Sequence, residues 1–134
     1  MRQINYILIH EALPENSPGV PRIRRDRDRG YHYVVNAAGV VRNPLDIHQP
    51  GTFAAVIRNL NPFDRRDYNA FSIGIQLNGS LADQSLRPAL IELIAELRSH
   101  FPEAKILTTS EIDGKSIRPS DAMNQLRLQL SDLP

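Results

Sequence analysis

Between residues 85 and 100, Leu86, Ala89, Leu90, Leu93, Ile94 and Leu97 recur at i, i+3, i+4, i+7, i+8 and i+11. That is the apolar stripe of an amphipathic helix. A helix with one apolar face must bury it against a second layer. The flanking segments supply that layer as strands: Phe71-Ser72-Ile73-Gly74-Ile75-Gln76-Leu77 before it and Lys105-Ile106-Leu107-Thr108 after it. With Ser85 as the cap, Pro88 falls in the first turn, where backbone N–H groups lack intrahelical partners. Upstream, the β-branched run over 4–10 reads as a buried strand. Tyr31 to Asn36 and Val40-Val41-Arg42 flank Asn36-Ala37-Ala38-Gly39 as a β-hairpin. Ser120-Asp121 caps a last helix through Met123, Leu126 and Leu130. The predicted fold class is α/β, a mixed central sheet of about five strands flanked by two main helices. Its expected core includes Ile7, Ile9, Val34, Ile73, Ile75, Leu90, Leu93, Ile94 and Ile106.

Composition removes several alternatives. A chain of 134 residues fits a single domain over 1–134. Hydrophobic residues at 41% and charged residues at 23% argue against disorder, and no apolar run reaches the ~18–20 residues of a spanning helix. A net charge of +1 is too small for affinity driven by phosphate neutralisation, so neither nucleic acid nor membrane is expected as a partner. The run from Arg22 to Arg29 interleaves aspartates and reads as a solvated face. Residues 44–70 contain Pro44, Pro50 and Pro62 and read as irregular, apart from a short helix at 53–57. Cys is absent, which excludes disulfides and thiol chemistry. The chain as given shows no signal peptide, which predicts a cytoplasmic protein, with non-classical export as the alternative.

Four strings in order resemble the zinc-dependent N-acetylmuramoyl-L-alanine amidases and the peptidoglycan recognition proteins that share their fold. Ile7-Leu8-Ile9-His10 is similar to the first-strand motif ending in a zinc-binding histidine. Gly30-Tyr31-His32-Tyr33-Val34-Val35 with Gly39-Val40-Val41 resembles the family hairpin. Tyr68-Asn69-Ala70-Phe71-Ser72-Ile73-Gly74-Ile75 resembles its Y-N-x-x-S-I-G-I strand, and residues 85–107 resemble the helix and strand that follow. The resemblance implies hydrolysis of the amide between a muramoyl lactyl group and L-alanine. That chemistry uses Zn²⁺ on three protein ligands with an open position, a base for the water proton and a donor for the oxyanion.

The sequence departs from the family at those points. Thr109 stands where the I-L-G-H-R-D motif has its zinc-binding histidine, and Ile117 replaces the third metal ligand beyond Lys115. Gln76 occupies the slot of a catalytic glutamate and has no titratable proton at neutral pH. His10 is then a vestigial metal ligand, and Tyr31 and Lys115 are vestigial catalytic groups. Tyr31, Gln76, Lys115 and Asn69 are the residues that the resemblance places in a ligand groove. The expectation is a degenerate, non-hydrolytic domain without a cofactor, binding a peptidoglycan fragment or muramyl peptide.

Two alternatives stand beside it. One is an active zinc amidase with rearranged ligands such as His10, His48 and Asp121, with Glu111 and Asp113 as further carboxylates. The other is a scaffold that serves only a protein partner. His32 is expected to be a satisfied core histidine facing away from Tyr31 and Tyr33. Asp121 and Glu111 have structural readings as a helix cap and as turn chemistry.

Overall fold

The computed structural model describes residues 3–12, 30–52, 68–112 and 121–131. The elements in chain order are β1 (Tyr6–Glu11), β2 (Tyr33–Val35), β3 (Val41–Arg42), α1 (Tyr68–Phe71), β4 (Ser72–Leu77), α2 (Arg87–His100), β5 (Lys105–Thr108), α3 (Thr109–Ile112) and α4 (Asp121–Ser131). The expected arginine run at 22–29, the helix at 53–57, Asp113, Lys115 and Ile117 lie outside the described residues.

The strands form one five-stranded sheet in the order β3-β2-β4-β1-β5. β4 pairs in parallel with β1 and β2, β5 pairs in parallel with β1, and only β3 runs antiparallel. This is the mixed α/β sheet that the sequence predicts. β4 sits at its centre, and every residue of that strand is buried. A strand covered on both faces needs small or apolar side chains throughout, and Ser-Ile-Gly-Ile-Gln-Leu nearly meets that condition.

Strand alternation sorts the core into two faces. Ile7, Ile9, Ile73, Ile75 and Leu77 point to one face, where Leu90, Leu93, Ile94 and Leu97 of α2 and Met123, Leu126 and Leu130 of α4 cover them. Fully burying each such side chain contributes roughly 1.5–3 kcal/mol. Leu8, Tyr31, Val34 and Tyr68 cluster on the opposite face with Tyr6 and Leu107. Arg87 ties the two helices together, donating to the Ala122 carbonyl (3.0 Å) and to Gln125 Oε1 (3.3 Å).

Several boundaries differ from expectation. α2 starts at Arg87 rather than Ser85, with Leu86 as its cap residue and no side-chain cap. Residues 68–71 form a helical turn, so the strand expected from 71 begins at Ser72. The first strand is displaced to Tyr6–Glu11, and α3 is a single turn of helix too short for hydrophobic periodicity to mark. A bend at His32 breaks strand alternation, so Tyr31 and Tyr33 join opposite clusters. The hairpin forms as predicted. Asn36 Oδ1 accepts the N–H groups of Ala38 and Val40, and Gly39 supplies the positive φ of +83° that this turn needs.

Among the described residues, no helix is long and apolar enough to cross a membrane.

Candidate functional site

β2, β4, β1 and β5 all run parallel, so their carboxyl ends lie along one edge of the sheet. In open α/β sheets this is the edge that carries ligand sites. His10 is the second-last residue of β1 and pairs in register with Gln76 of β4. Alternation puts both on the Leu8 face, away from α2 and α4. Ile9 pairs with Thr108, the last residue of β5, and Thr109 follows it as the first residue of α3. His10 thus has Gln76 beside it in register on one side, with the β5–α3 junction at Thr108 and Thr109 on the other side of β1.

Tyr31 closes over His10. The two rings stack with centroids 5.8 Å apart and planes 7° from parallel, and the phenol oxygen and His10 Nδ1 share a 2.7 Å hydrogen bond. Tyr31 is only 2% exposed and Gln76 only 1%, so neither is the half-open side chain that a groove wall would present. Gln76 Nε2 donates to Asn78 Oδ1 at 3.2 Å. Asn69 lies half-buried in α1, and its carbonyl accepts the Gly51 N–H at 3.3 Å.

His32 is a structural histidine. It is fully buried, and its Nδ1 accepts the Gly74 N–H at 3.0 Å while Nε2 faces the Gln49 carbonyl at 2.7 Å. A backbone N–H can only donate and a carbonyl can only accept, so the ring is the neutral Nε2–H tautomer. The His32 backbone N–H also bonds the Gly74 carbonyl, so main chain and side chain together grip β4.

At the end of β5, Glu111 Oε1 accepts the N–H and hydroxyl of Thr108 (3.0 and 3.1 Å), and both of its oxygens lie 3.0 Å from an Arg127 nitrogen. Arg127 also donates to the Ile106 carbonyl at 2.7 Å. Glu111 is therefore a capping and bridging residue that fixes the corner holding position 109. The Thr-x-x-Glu spacing of 108 and 111 is a capping-box signature and was the available sequence signal.

A family model described as N-acetylmuramoyl-L-alanine amidase matches residues 1–118. The chain belongs to that amidase family. No curated protein matches it. The fold is similar to N-acetylmuramoyl-L-alanine amidase LysC from Clostridium intestinale URNW, with a TM-score of 0.63 and 13% identity over 96% of this chain and 87% of the other. It is also similar to the Ph2119 endolysin from Thermus scotoductus MAT2119 bacteriophage Ph2119, with a TM-score of 0.63 and 19% identity over 97% and 86%. A second Clostridium intestinale URNW protein, the endolysine N-acetylmuramoyl-L-alanine amidase LysCS, gives 0.62 and 14% over 96% and 85%. At these identities the likeness establishes the fold.

Zinc sites draw on imidazole, thiolate and carboxylate donors, and of Gln76, His10 and Thr109 only His10 is of that kind. Among the described residues no three His, Cys, Asp or Glu side chains come together. His48 is exposed in the loop after β3, where its N–H donates to Asp46 Oδ1 at 2.8 Å. Asp121 is exposed in the first turn of α4, a helix packed on the face opposite His10. Glu111 has its oxygens committed to Thr108 and Arg127. Lys115 and Ile117 lie beyond the described residues.

Proposed function

We propose that this amidase-family domain is degenerate and non-hydrolytic, and that it binds a peptidoglycan stem peptide or a related muramyl peptide at the carboxyl edge around His10. The observation that carries this reading is the register. His10 pairs with Gln76, Ile9 pairs with Thr108 just ahead of Thr109, and threonine and glutamine supply neither a zinc ligand nor a titratable base. Tyr31 hydrogen-bonded to His10 offers at most partial oxyanion stabilisation, a few kcal/mol against the ~8 or more that an enzyme must supply. Peptide binding rests on family membership and on the half-exposed His10 and Asn78 along the edge.

The burial of Tyr31 and Gln76 favours a second reading, a scaffold that keeps the fold for a protein partner. Incubating the full chain with zinc and a muramoyl peptide, followed by chromatography and calorimetric titration, separates the readings. Binding without release of stem peptide is the expected result. Release of stem peptide contradicts it, and absence of both binding and release supports the scaffold reading.

A further inference from the structure

We propose that Asn78 is a site of spontaneous deamidation, which converts the neutral carboxyl edge of β4 into an anionic one. The inference is independent of the functional reading above. Asn78 is the only asparagine in the chain followed by glycine. It sits one residue past the end of β4, half-buried, with its own N–H held by the Val35 carbonyl at 2.9 Å. Its side-chain oxygen accepts from Gln76 Nε2 at 3.2 Å, which draws electron density from the Cγ carbonyl and makes that carbon a better electrophile. The nucleophile is the backbone nitrogen of Gly79, whose N–H makes no hydrogen bond among the described residues. A side chain at 79 would screen that nitrogen. Glycine has none, and a Cβ there would lie 2.6 Å from Asp83 Oδ2 and 2.9 Å from Leu86 Cδ2, so those side-chain ends would have to shift to admit one. The missing side chain at Gly79 leaves its nitrogen open to the Asn78 side chain.

The step balances without a cofactor. The Gly79 nitrogen forms a bond to Asn78 Cγ, the Cγ–Nδ2 bond breaks, and ammonia leaves with the amide proton, giving a succinimide. Water then opens the ring at either carbonyl, yielding aspartate or isoaspartate. The aspartate form inherits the Gln76 donor as a charge-assisted hydrogen bond, stronger than the neutral one it replaces. The isoaspartate form adds a methylene to the backbone just before the turn that seats Leu81 and Leu86 in the core. Asn36 is an internal contrast. It is followed by alanine, whose methyl group screens the backbone nitrogen that would have to attack.

The test is peptide mapping by tandem mass spectrometry after incubating the folded full chain at mildly alkaline pH in heavy-oxygen water. The expected result is conversion at Asn78 severalfold faster than at any other asparagine, with one labelled oxygen and both aspartate and isoaspartate products. Gln76→Ala should slow the conversion, and Asn78→Gln should abolish it at that position. Conversion at other asparagines ahead of Asn78, or at Asn78 only in the urea-unfolded chain, would overturn the proposal. An unchanged rate in the Gln76→Ala protein would overturn the role given to Gln76.

Discussion

Tyr31 and His10 are joined twice: their rings stack nearly parallel, and the phenol oxygen meets His10 Nδ1 at 2.7 Å. The pair links the segment before β2 to the end of β1, which are not neighbouring strands, by crossing over β4 on the Leu8 face. Tyr31→Phe keeps the ring and removes the hydroxyl, so it should cost about 1 kcal/mol. Tyr31→Ala also opens a cavity and should cost about 3–5 kcal/mol. Urea melts of the two variants test this. Equal losses would mean that the hydrogen bond, not the packing, dominates.

His32 gives a sharper stability prediction. His32→Phe preserves most of the volume but strands the Gly74 N–H and the Gln49 carbonyl, at about 1–3 kcal/mol each. A loss of roughly 2–5 kcal/mol in chemical denaturation is expected. A loss below ~1 kcal/mol would contradict the assigned tautomer and its two bonds.

Burial pushes the Tyr33 phenol above its usual pKa, and the nearby Glu96 and Asp46 carboxylates add to the rise against a hydrogen bond from Asn43. In the folded protein Tyr33 therefore keeps its proton at a pH where the unfolded chain has lost it. The unfolded state then binds fewer protons, so stability falls as pH rises above ~10. Below that range the group contributes no slope. Tyr33→Phe should flatten this alkaline loss in melting curves recorded against pH, and an unchanged slope would contradict the assignment.

The corner after β5 should behave as one unit. Glu111→Ala removes the acceptor for Thr108 and the partner of Arg127, and about 1–2 kcal/mol is expected. Arg127 is one-third exposed, so its ion pair is screened and Arg127→Met should cost under ~1 kcal/mol. The double variant should lose less than the sum, as groups in one network do. Strict additivity in a double-mutant cycle would show that the two act independently.

Much of the fold was legible because its signals are local. The α2 stripe, the β-branched runs of β1 and β4, and the Asn36 to Gly39 turn each determine their own element. The first helical hydrogen bond runs from the Leu90 N–H to the Leu86 carbonyl, which sets the helix start at Arg87, and no side chain at Leu86 bonds the first turn. α1 and α3 were hidden because four residues make too short a window for periodicity. At the site, the motif strings mark His10 and Tyr31 but cannot show the depth of Tyr31 and Gln76 under neighbouring chain. Nor can they show the Asn78 and Arg127 contacts, which join residues across turns and separate elements. Fold membership alone leaves the chemistry open.

The central claim, that the carboxyl edge has lost its metal site at positions 109 and 117, is tested most directly by zinc stoichiometry. The parent and the Thr109→His, Ile117→Cys double variant would be dialysed against zinc, washed and analysed for metal content. A tetrahedral site needs its protein donors to converge within ~2.0–2.3 Å of one point. Ile9, the neighbour of His10 on β1, pairs with Thr108, and position 109 is the residue after that partner. The account predicts no retained zinc in the parent and about one ion per chain in the double variant, held more weakly than in a natural site because supporting contacts were not kept. One zinc per parent chain, removed by a chelator with a fall in melting temperature, would contradict it. So would a folded double variant that takes up no more metal than the parent.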